Sequence, residues 1–467
     1  MTFAARHILT PGFAGKRTSP THGLSGIGRW LSRPILRTAT SGFGPGVLRP
    51  AVLLALSALL GTHWLAAAAP GQDASFCNLG RSPNAIAAIT EIGRSELVSA
   101  DAKQWQGGGV TVTTSARRDG LEVELSAPGL AVKRLELRWK TELAPDWKYV
   151  GDAWERAYGD LEWKPLDPER IMPWYFLASN GQFTHDYGVK TGAAALCRWT
   201  ADASGITLNA DVRSGRVGVQ LGQRKLAVAT VLCRRGTVGE TAFAAAQAFC
   251  KLMSPQPRLA KQPVYGFNDW YCYDYSTEEI AGRWGFEMKG EMIADGWAFA
   301  DRSRTTAEVI LELYRDIRQA VANDTLVLGC NTIGHLAAGL FELQRIGDDT
   351  SGKDWSRTRK MGVNSLAFRA PQHGTFFAVD GDCAGQVETD SVPWEKNRQW
   401  LELLARSGTP LFVSFPRETV HPEQEAALRA ALAAASRKLP LGEPLDWQEQ
   451  RTPSRWRLEG RERDFSW

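Results

Sequence analysis

Two acidic sites in the chain have the residue types for bond-breaking chemistry. Asp274 stands in YCYDYST, directly after a short aromatic run, and Asp348 and Asp349 stand in QRIGDDTSG. Two carboxylates that face one cleft can divide work on an acetal. One attacks the anomeric carbon, while the other protonates the departing oxygen and then deprotonates the incoming water. Aspartates at strand ends also cap helices and turns, so residue type alone leaves both readings open. Other chemistries lack their parts. No GxxxxGK(S/T) and no GxSxG occurs, which removes the phosphate loop and the serine elbow. The seven His are scattered, with no HxxxH or CxxC…H cluster, so no metal and no cofactor is expected.

Carboxylates cooperate only where secondary structure brings them to a common edge. After Pro263 the chain alternates. VYGFNDWY reads as strand, TTAEVILELYRDIRQAV as helix, TLVLGCN as strand, HLAAGLFELQR as a mixture, GTFFAVDGD as strand, PWEKNRQWLELLARSG as helix and PLFVSF as strand. PEQEAALRAALAAASR closes the series as a helix that opens with Pro and acid. This grammar predicts a parallel sheet with covering helices, and carboxylates that follow apolar strands belong on the C-terminal rim of a (β/α) barrel. Length sets a limit: the 176 residues from 262 to 437 fall below the roughly 200 to 250 of a full eight-stranded barrel.

Upstream, from about Gln104 to Cys233, short runs with period-two alternation are separated by DG, SG and PG turns, which predicts an antiparallel β-sandwich. A helix over Thr241 to Met253 and the stretch SPQPRLAKQP then link the two halves. The expected division is a leader over 1–72, a sandwich over 76–250, an incomplete (β/α) barrel over 262–437 and a C-terminal tail or small β segment over 438–467.

Composition narrows the partners. With 467 residues, 43% hydrophobic and 23% charged, the chain is folded rather than disordered. The formal charge of +4 includes seven Lys and Arg in residues 1–72, where no acid occurs, so the remainder carries −3. That balance argues against a nucleic-acid partner. AVLLALSALLGTHWLAAAA at 51–69, between Arg49 and Pro70, has the basic, apolar, small order of a secretory signal. Export to a periplasmic or extracellular space is expected, with membrane contact only if the leader is retained. The seven Cys are odd in number and widely spaced, which does not read as a disulfide framework. Eighteen Trp against nine Tyr is a surplus of the side chain with the broadest apolar face for stacking on a sugar ring, although most indoles are core residues.

Several segments resemble the α-galactosidases (melibiases, glycoside hydrolase clan D), in the order of a bacterial subgroup. PVYGFNDWY is similar to their first-strand motif, YDYST to the nucleophile motif of the fourth strand, and RIGDDTSG to the loop that bears the acid/base. GDAWERAYGDLEW, Gly151 to Trp163, is typical of the β-sandwich ahead of their barrel. RWGFEM, DRSRTTAE, LAFRAPQHGTFFAVDGDC and SGTPLFVS keep the same order. The resemblance implies a retaining exo-glycosidase for α-linked galactose or a related sugar, with Asp274 as nucleophile and Asp348 as acid/base, Asp349 being its rival. It makes Arg345 a donor to sugar hydroxyls and Asp269, Trp270, Asn331, His373, Asp380 and Asp382 further substrate contacts. It also implies a carbohydrate as the partner, and the GDAWERAYGDLEW segment, too polar and aromatic for a plain turn, is expected to bring Asp152, Trp154 and Glu155 near the active rim.

One departure from this pattern is large. Relatives have three βα units, on the order of 90 residues at about 30 each, between the first-strand motif and the nucleophile. Here two residues separate Tyr271 from Asp274, and Cys272 stands where those enzymes carry a Lys. The paired aspartates and Trp that follow their second strand are missing as well. An internal deletion, or an error in the gene sequence, accounts for this. The alternatives are a non-catalytic carbohydrate-binding relative and a sugar-transferring enzyme of the same fold.

Overall fold

The computed structural model describes residues 76–267, 297–350, 352–385, 392–415 and 420–467. The leader and the candidates Asp269, Trp270 and Asp274 lie outside the described residues.

Fifteen strands build the first half. They are β1 (Ala85–Thr90), β2 (Gly93–Leu97), β3 (Gln104–Gly107), β4 (Val110–Arg117), β5 (Gly120–Ser126), β6 (Ala131–Lys140), β7 (Lys148–Gly151) and β8 (Lys164–Pro165), then β9 (Met172–Pro173), β10 (Tyr175–Ser179), β11 (Thr184–Val189), β12 (Leu196–Asp202), β13 (Gly205–Asp211), β14 (Val219–Gln220) and β15 (Leu226–Arg234). One sheet runs β2-β1-β6-β13-β12-β9 with β14 on β6, and the other runs β3-β4-β5-β15-β11-β10-β7-β8. Every pairing is antiparallel. The β-sandwich read from the alternation is present. β4, VTVTTSAR, as far as Ser115, and β12, LCRWTAD, bury every second side chain, the period that turns one face of a pleated strand to a core.

β10 and β11 break that rule, since every residue of YFLAS and THDYGV is buried. Their second face is covered as well. Helix α1 (Ala242–Met253), N-capped by the Thr241 side chain, lies against β11, and the Phe249 ring meets Tyr175 edge-on at 6.4 Å. The two strands are therefore the shared wall between the sandwich and the second half of the chain.

That second half holds β16 (Tyr265–Phe267), β17 (Leu328–Gly329), β18 (Leu343–Arg345), β19 (Ala378–Asp380), β20 (Cys383–Gly385) and β21 (Leu411–Ser414). β17, β18 and β19 pair in parallel, as do β16, β21 and β20. β19 and β20 are consecutive pieces of one extended segment, so the described parallel strands follow the order β17, β18, β19/β20, β21, β16. A closed eight-stranded barrel is not shown among the described residues. Helices α2 (Thr306–Ala320), α3 (Trp394–Arg406) and α4 (Pro422–Ala435) form where the sequence predicts them. α2 begins with a capping box between Thr305 and Glu308 and buries Ala307, Ile310, Leu311, Tyr314 and Arg318 on one stripe. The mixed run HLAAGLFELQR resolves into a short helical turn, Gly334–Ala337, followed by β18. A three-stranded antiparallel sheet, β22 (Glu443–Pro444), β23 (Arg455–Leu458) and β24 (Arg461–Asp464), closes the chain.

Polar and aromatic contacts knit the halves together. Arg369 pairs with Asp152 at 2.9 Å, both nearly fully buried. The Gln372 amide donates to the Asp152 carboxylate and to the Tyr175 hydroxyl, each at 2.9 Å. His335 stacks on Trp174 with ring centroids 4.8 Å apart, and its Nε2 lies 3.0 Å from the Val189 carbonyl. Burial pushes the His335 imidazole down to about 3, so in the folded protein the ring stays neutral where an unfolded one takes a proton.

This gives a testable pH dependence. Between about pH 6.5 and pH 3 the unfolded chain binds a proton at His335 that the folded chain refuses, so His335 lowers stability as pH falls through that window. His335→Phe should flatten the pH slope of the unfolding free energy by up to about 1.4 kcal/mol per pH unit, read by urea denaturation at pH 4 to 7. Parallel slopes in the two proteins would contradict the assignment.

Candidate functional site

The parallel strands are short, and the chemistry-bearing residues come directly at or after their C-terminal ends. Asn331 comes two residues after β17, Arg345 ends β18 with Asp348 and Asp349 just beyond, and Asp380 ends β19 with Asp382 following. The β18/β19 register sets Arg345 directly opposite Asp380.

Arg345 gathers this edge. Its guanidinium, buried with 5% exposure, reaches three carboxylates: Asp382 at 2.6 Å, Asp380 at 3.2 Å and Asp349 at 3.2 Å. Asp380 and Asp382 are each 1% exposed. Burial raises the Asp380 carboxyl above its usual range, opposed by the Arg345 charge and reinforced by the Asp382 charge. Asp382 has φ of 72°, a left-handed conformation that Asp tolerates when its side chain has local hydrogen bonds. Those bonds are present. Its carboxylate accepts from the Thr350 amide at 2.6 Å and hydroxyl at 3.1 Å, and its own amide donates to Asp380 at 2.9 Å. This kink lets one segment pair with β18 on its first half and with β21 on its second.

The RIGDDTSG loop is held down on both flanks. A Cβ on Gly347 would run into the Met361 carbonyl and one on Gly352 into the Gly385 carbonyl, so both positions require glycine for close backbone approach. After the loop, residues 355–372 coil as one helical run with a π-helical stretch over Thr358–Asn364, and Arg357 from its first turn points back. It donates to the Asp349 carbonyl at 2.7 Å and pairs with Asp348 at 2.6 Å.

Asp348 has a second cation, from the sandwich side. Arg156, in GDAWERAYGDLEW, pairs with its other carboxylate oxygen at 2.9 Å. The Ala157 amide donates to the Ile346 carbonyl at 2.7 Å, and Ala157 bridges Gly347 in parallel, so this segment lies beside the C-terminal end of β18. Although burial works to lower it, the Arg156 guanidinium is held above its ordinary value by Asp348, with Tyr158, Cys330 and Glu155 adding to the effect. Trp154 and Tyr158 remain over one third exposed on the same segment, whereas Asp152 turns inward to Arg369.

The structure thus brings together Arg345, Asp348, Asp349, Asp380 and Asp382, with Asn331 on the neighbouring strand end. Both oxygens of Asp348 are occupied by guanidinium donors. Asp349, with its side chain 43% exposed and Arg345 as its ion-pair partner, presents more of its carboxylate to solvent. His373 stands apart from the strand ends. It lies in the turn before β19, where its Nδ1 accepts the Val379 amide at 3.1 Å, and so stabilises the start of that strand. Sequence reading does not single out Arg156 or Arg357. The only signal for Arg156 is its place inside the polar, aromatic 151–163 segment, and nothing in the spacing points to Arg357.

Removing the central cation should expose how much the edge depends on it. Arg345→Ala leaves Asp380 and Asp382 buried without it, and the expected loss is about 3 to 5 kcal/mol of unfolding free energy, measured by chemical denaturation. Arg345→Lys should recover only part, because one ammonium lacks the planar fork that spans several carboxylates. A loss below about 1 kcal/mol for Arg345→Ala, the range of exposed pairs, would show that the network is not the support described.

No protein-family model matches the chain, and no curated protein matches it. Among solved structures, the α-galactosidase of Thermus thermophilus in complex with p-nitrophenyl α-D-galactopyranoside shares 12% identity over 81% of this chain and 98% of that one, with a TM-score of 0.46. A family GH31 sulfoquinovosidase from E. rectale shares 9% over 80% and 85%, with a TM-score of 0.40. A family GH36 α-galactosidase from Geobacillus stearothermophilus in complex with raffinose shares 9% over 73% and 69%, with a TM-score of 0.37. Structural neighbours thus include glycoside hydrolases, at values too low to assign an activity.

Proposed function

We propose that the protein is a retaining exo-glycosidase of the α-galactosidase kind, acting on α-linked galactose or a related sugar outside the cytoplasm. The observation that carries this reading is the carboxylate edge. Arg345 draws Asp349, Asp380 and Asp382 to one place, and Asp348 stands beside them at the ends of adjacent parallel strands. Such an edge is where barrel enzymes hold their reacting groups. In this reading Asp274 attacks the anomeric carbon and forms the glycosyl-enzyme bond. A carboxyl of the RIGDDTSG loop gives its proton to the leaving oxygen and later takes one from water. Asp348 has that place in the motif, and Asp349 is the rival with the more open carboxylate. Arg345 would hold the open Asp349 carboxylate in place from beneath, with Asp380 and Asp382, each 1% exposed, fixing Arg345.

A second reading has its own support. Two residues separate Tyr271 from Asp274, and both Asp348 oxygens are engaged by Arg156 and Arg357. A chain that holds a sugar without turning it over fits those facts.

Purified protein given an activated aryl α-galactoside should release the aglycone slowly, because groups that hold the sugar in the transition state are missing. Asp274→Ala should reduce that rate at least about a thousandfold. Asp348→Asn and Asp349→Asn should differ, the larger loss marking the proton donor. Turnover no faster than that of Asp274→Ala, with galactose still bound, would replace the enzyme by the binding protein.

A further inference from the structure

The segment from residue 76 to residue 84 crosses from one sheet of the sandwich to the other. On one side it runs beside the end of β6, where the Trp139 indole donates to the Arg81 carbonyl at 2.8 Å and the Lys140 amide donates to the Asn84 side chain at 2.8 Å. On the other side it meets β11 and β15. The Cys77 amide donates to the Tyr187 hydroxyl at 3.1 Å, and the Cys233 thiol donates to the side-chain oxygen of Asn78 at 3.7 Å. Two cysteines more than 150 residues apart in sequence are thus gathered around one tyrosine.

The strand register fixes this neighbourhood. Tyr187 and Cys233 are direct partners across β11 and β15, and three pairs further on the Lys190 amide donates to the Thr230 carbonyl. Bonded and open pairs alternate along an antiparallel ladder, so Tyr187 and Cys233 form an open pair, with Cα atoms about 4.5 Å apart and both side chains on one face. The Tyr187 ring stacks on Phe176 at 4.9 Å and on Phe76 at 6.1 Å, which holds its hydroxyl, and with it Cys77, in place. Burial pushes the Cys233 thiol up, and the Gly80 and Leu79 amides bonded to its sulfur work in the opposite sense. That sulfur rests in the turn that Cys77 begins, where the Leu79 amide also donates to the Cys77 carbonyl at 3.1 Å. Burial, with Cys233 nearby, pushes the Cys77 thiol up to about 12. Cys77 lines an open cavity of about 380 Å³, which gives a small reagent access to the pair.

We propose that Cys77 and Cys233, both thiols in this structure, are a redox pair that closes into a disulfide and clasps the two sheets through the 76–84 segment. The oxidant is a small or protein disulfide. Cys233, the more exposed of the two, gives its proton to solvent and attacks one sulfur of the oxidant, whose S–S bond breaks and whose other sulfur leaves as a thiolate. Cys77 then loses its proton and attacks the Cys233 sulfur of the mixed disulfide, and the second thiolate leaves. Two protein thiols are oxidised by two electrons, and one disulfide is reduced to two thiols that take up the two protons. Because only thiolate attacks, closure in the folded protein is slow at neutral pH and quickens as pH rises. An odd cysteine count and wide spacing do not oppose it, since one bridge needs two sulfurs and the fold supplies their proximity. The pair does not rest on the glycosidase reading, because neither sulfur belongs to the carboxylate edge.

The test is to equilibrate the full chain with glutathione disulfide, both native and while it refolds from denaturant, then to digest it without reduction and weigh the peptides. The expected product is one dominant linked pair joined through Cys77 and Cys233. The oxidised chain should melt at least about 5 °C above the reduced one, because the bridge closes a long loop in the unfolded state. Cys233→Ala should abolish both the linked pair and the rise in melting temperature. The peptide result on the unaltered chain stands even if that variant folds poorly. Glutathione retained on Cys233 beside a free Cys77 would show that the two sulfurs do not meet and would overturn the proposal. Failure of either cysteine to oxidise under both conditions would do the same, as would links to other cysteines in equal amount. A 77–233 bridge that leaves the melting temperature unchanged would remove its role as a clasp.

Discussion

A buried guanidinium must be answered by acids, and acids buried beside it must be answered by the guanidinium. Arg345 and its three carboxylates are that mutual obligation in this protein. Taking a carboxylate out of water costs several kcal/mol unless a well-placed cation and hydrogen bonds replace the lost hydration. Asp380 and Asp382 are deep enough to incur that cost, so the arrangement around Arg345 is constrained on every side. The parallel register of β18 and β19 puts donor opposite acceptor. The left-handed kink at Asp382 aims its carboxylate back at Arg345 and Thr350. The acidic loop descends onto the same group through Asp349. None of these features is independent of the others.

The obligation extends beyond the parallel strands. Asp348 is neutralised half by the helical run after it, through Arg357, and half by the sandwich, through Arg156. A short distance away Asp152 of the sandwich is answered by Arg369, with Gln372 and Tyr175 completing its hydrogen bonds. Part of the charge is therefore balanced across the boundary between the halves, by Arg156 with Asp348 and Asp152 with Arg369. Strands β10 and β11 are buried on both faces for the same reason of shared enclosure, and the neutral His335 against Trp174 lies in that shared interior.

Much of this architecture is written in local pattern. Period-two alternation in 104–233 marks the sandwich strands, because a half-buried sheet sorts its side chains by parity. The 3.6-residue stripe of 306–320 and the Pro and acid opening of 422–435 mark helices. The RIGDDTSG loop stands out as acidic, and Arg345 stands out with it. Pattern is silent where partners are distant in sequence. β10 and β11 have no alternation to read, since both faces are covered. Arg156 lies far from Asp348 along the chain, and only the fold reveals that they meet. GTFFAVDGD reads as one strand throughout, whereas its first half turns on Gln372 and His373, a hydrogen-bonding choice that apolar content does not encode. His373 looks like a rim group for its residue type, and its imidazole is used by the backbone instead.

The ion pair between Asp152 and Arg369 has a further consequence for how the chain can be divided. The stretch from Ser254 to Pro263 looks like a place to cut, being rich in Pro and short of regular structure. A cut there would convert a common interior into two wetted faces, one displaying a lone acid and the other a lone base, each beside freshly exposed aromatic surface. The pieces would attract one another and their own copies by charge and by apolar contact together, which is the recipe for re-association or aggregation rather than for two soluble modules. The stretch from Ser254 to Pro263 thus joins two halves whose charges answer one another across a shared interior.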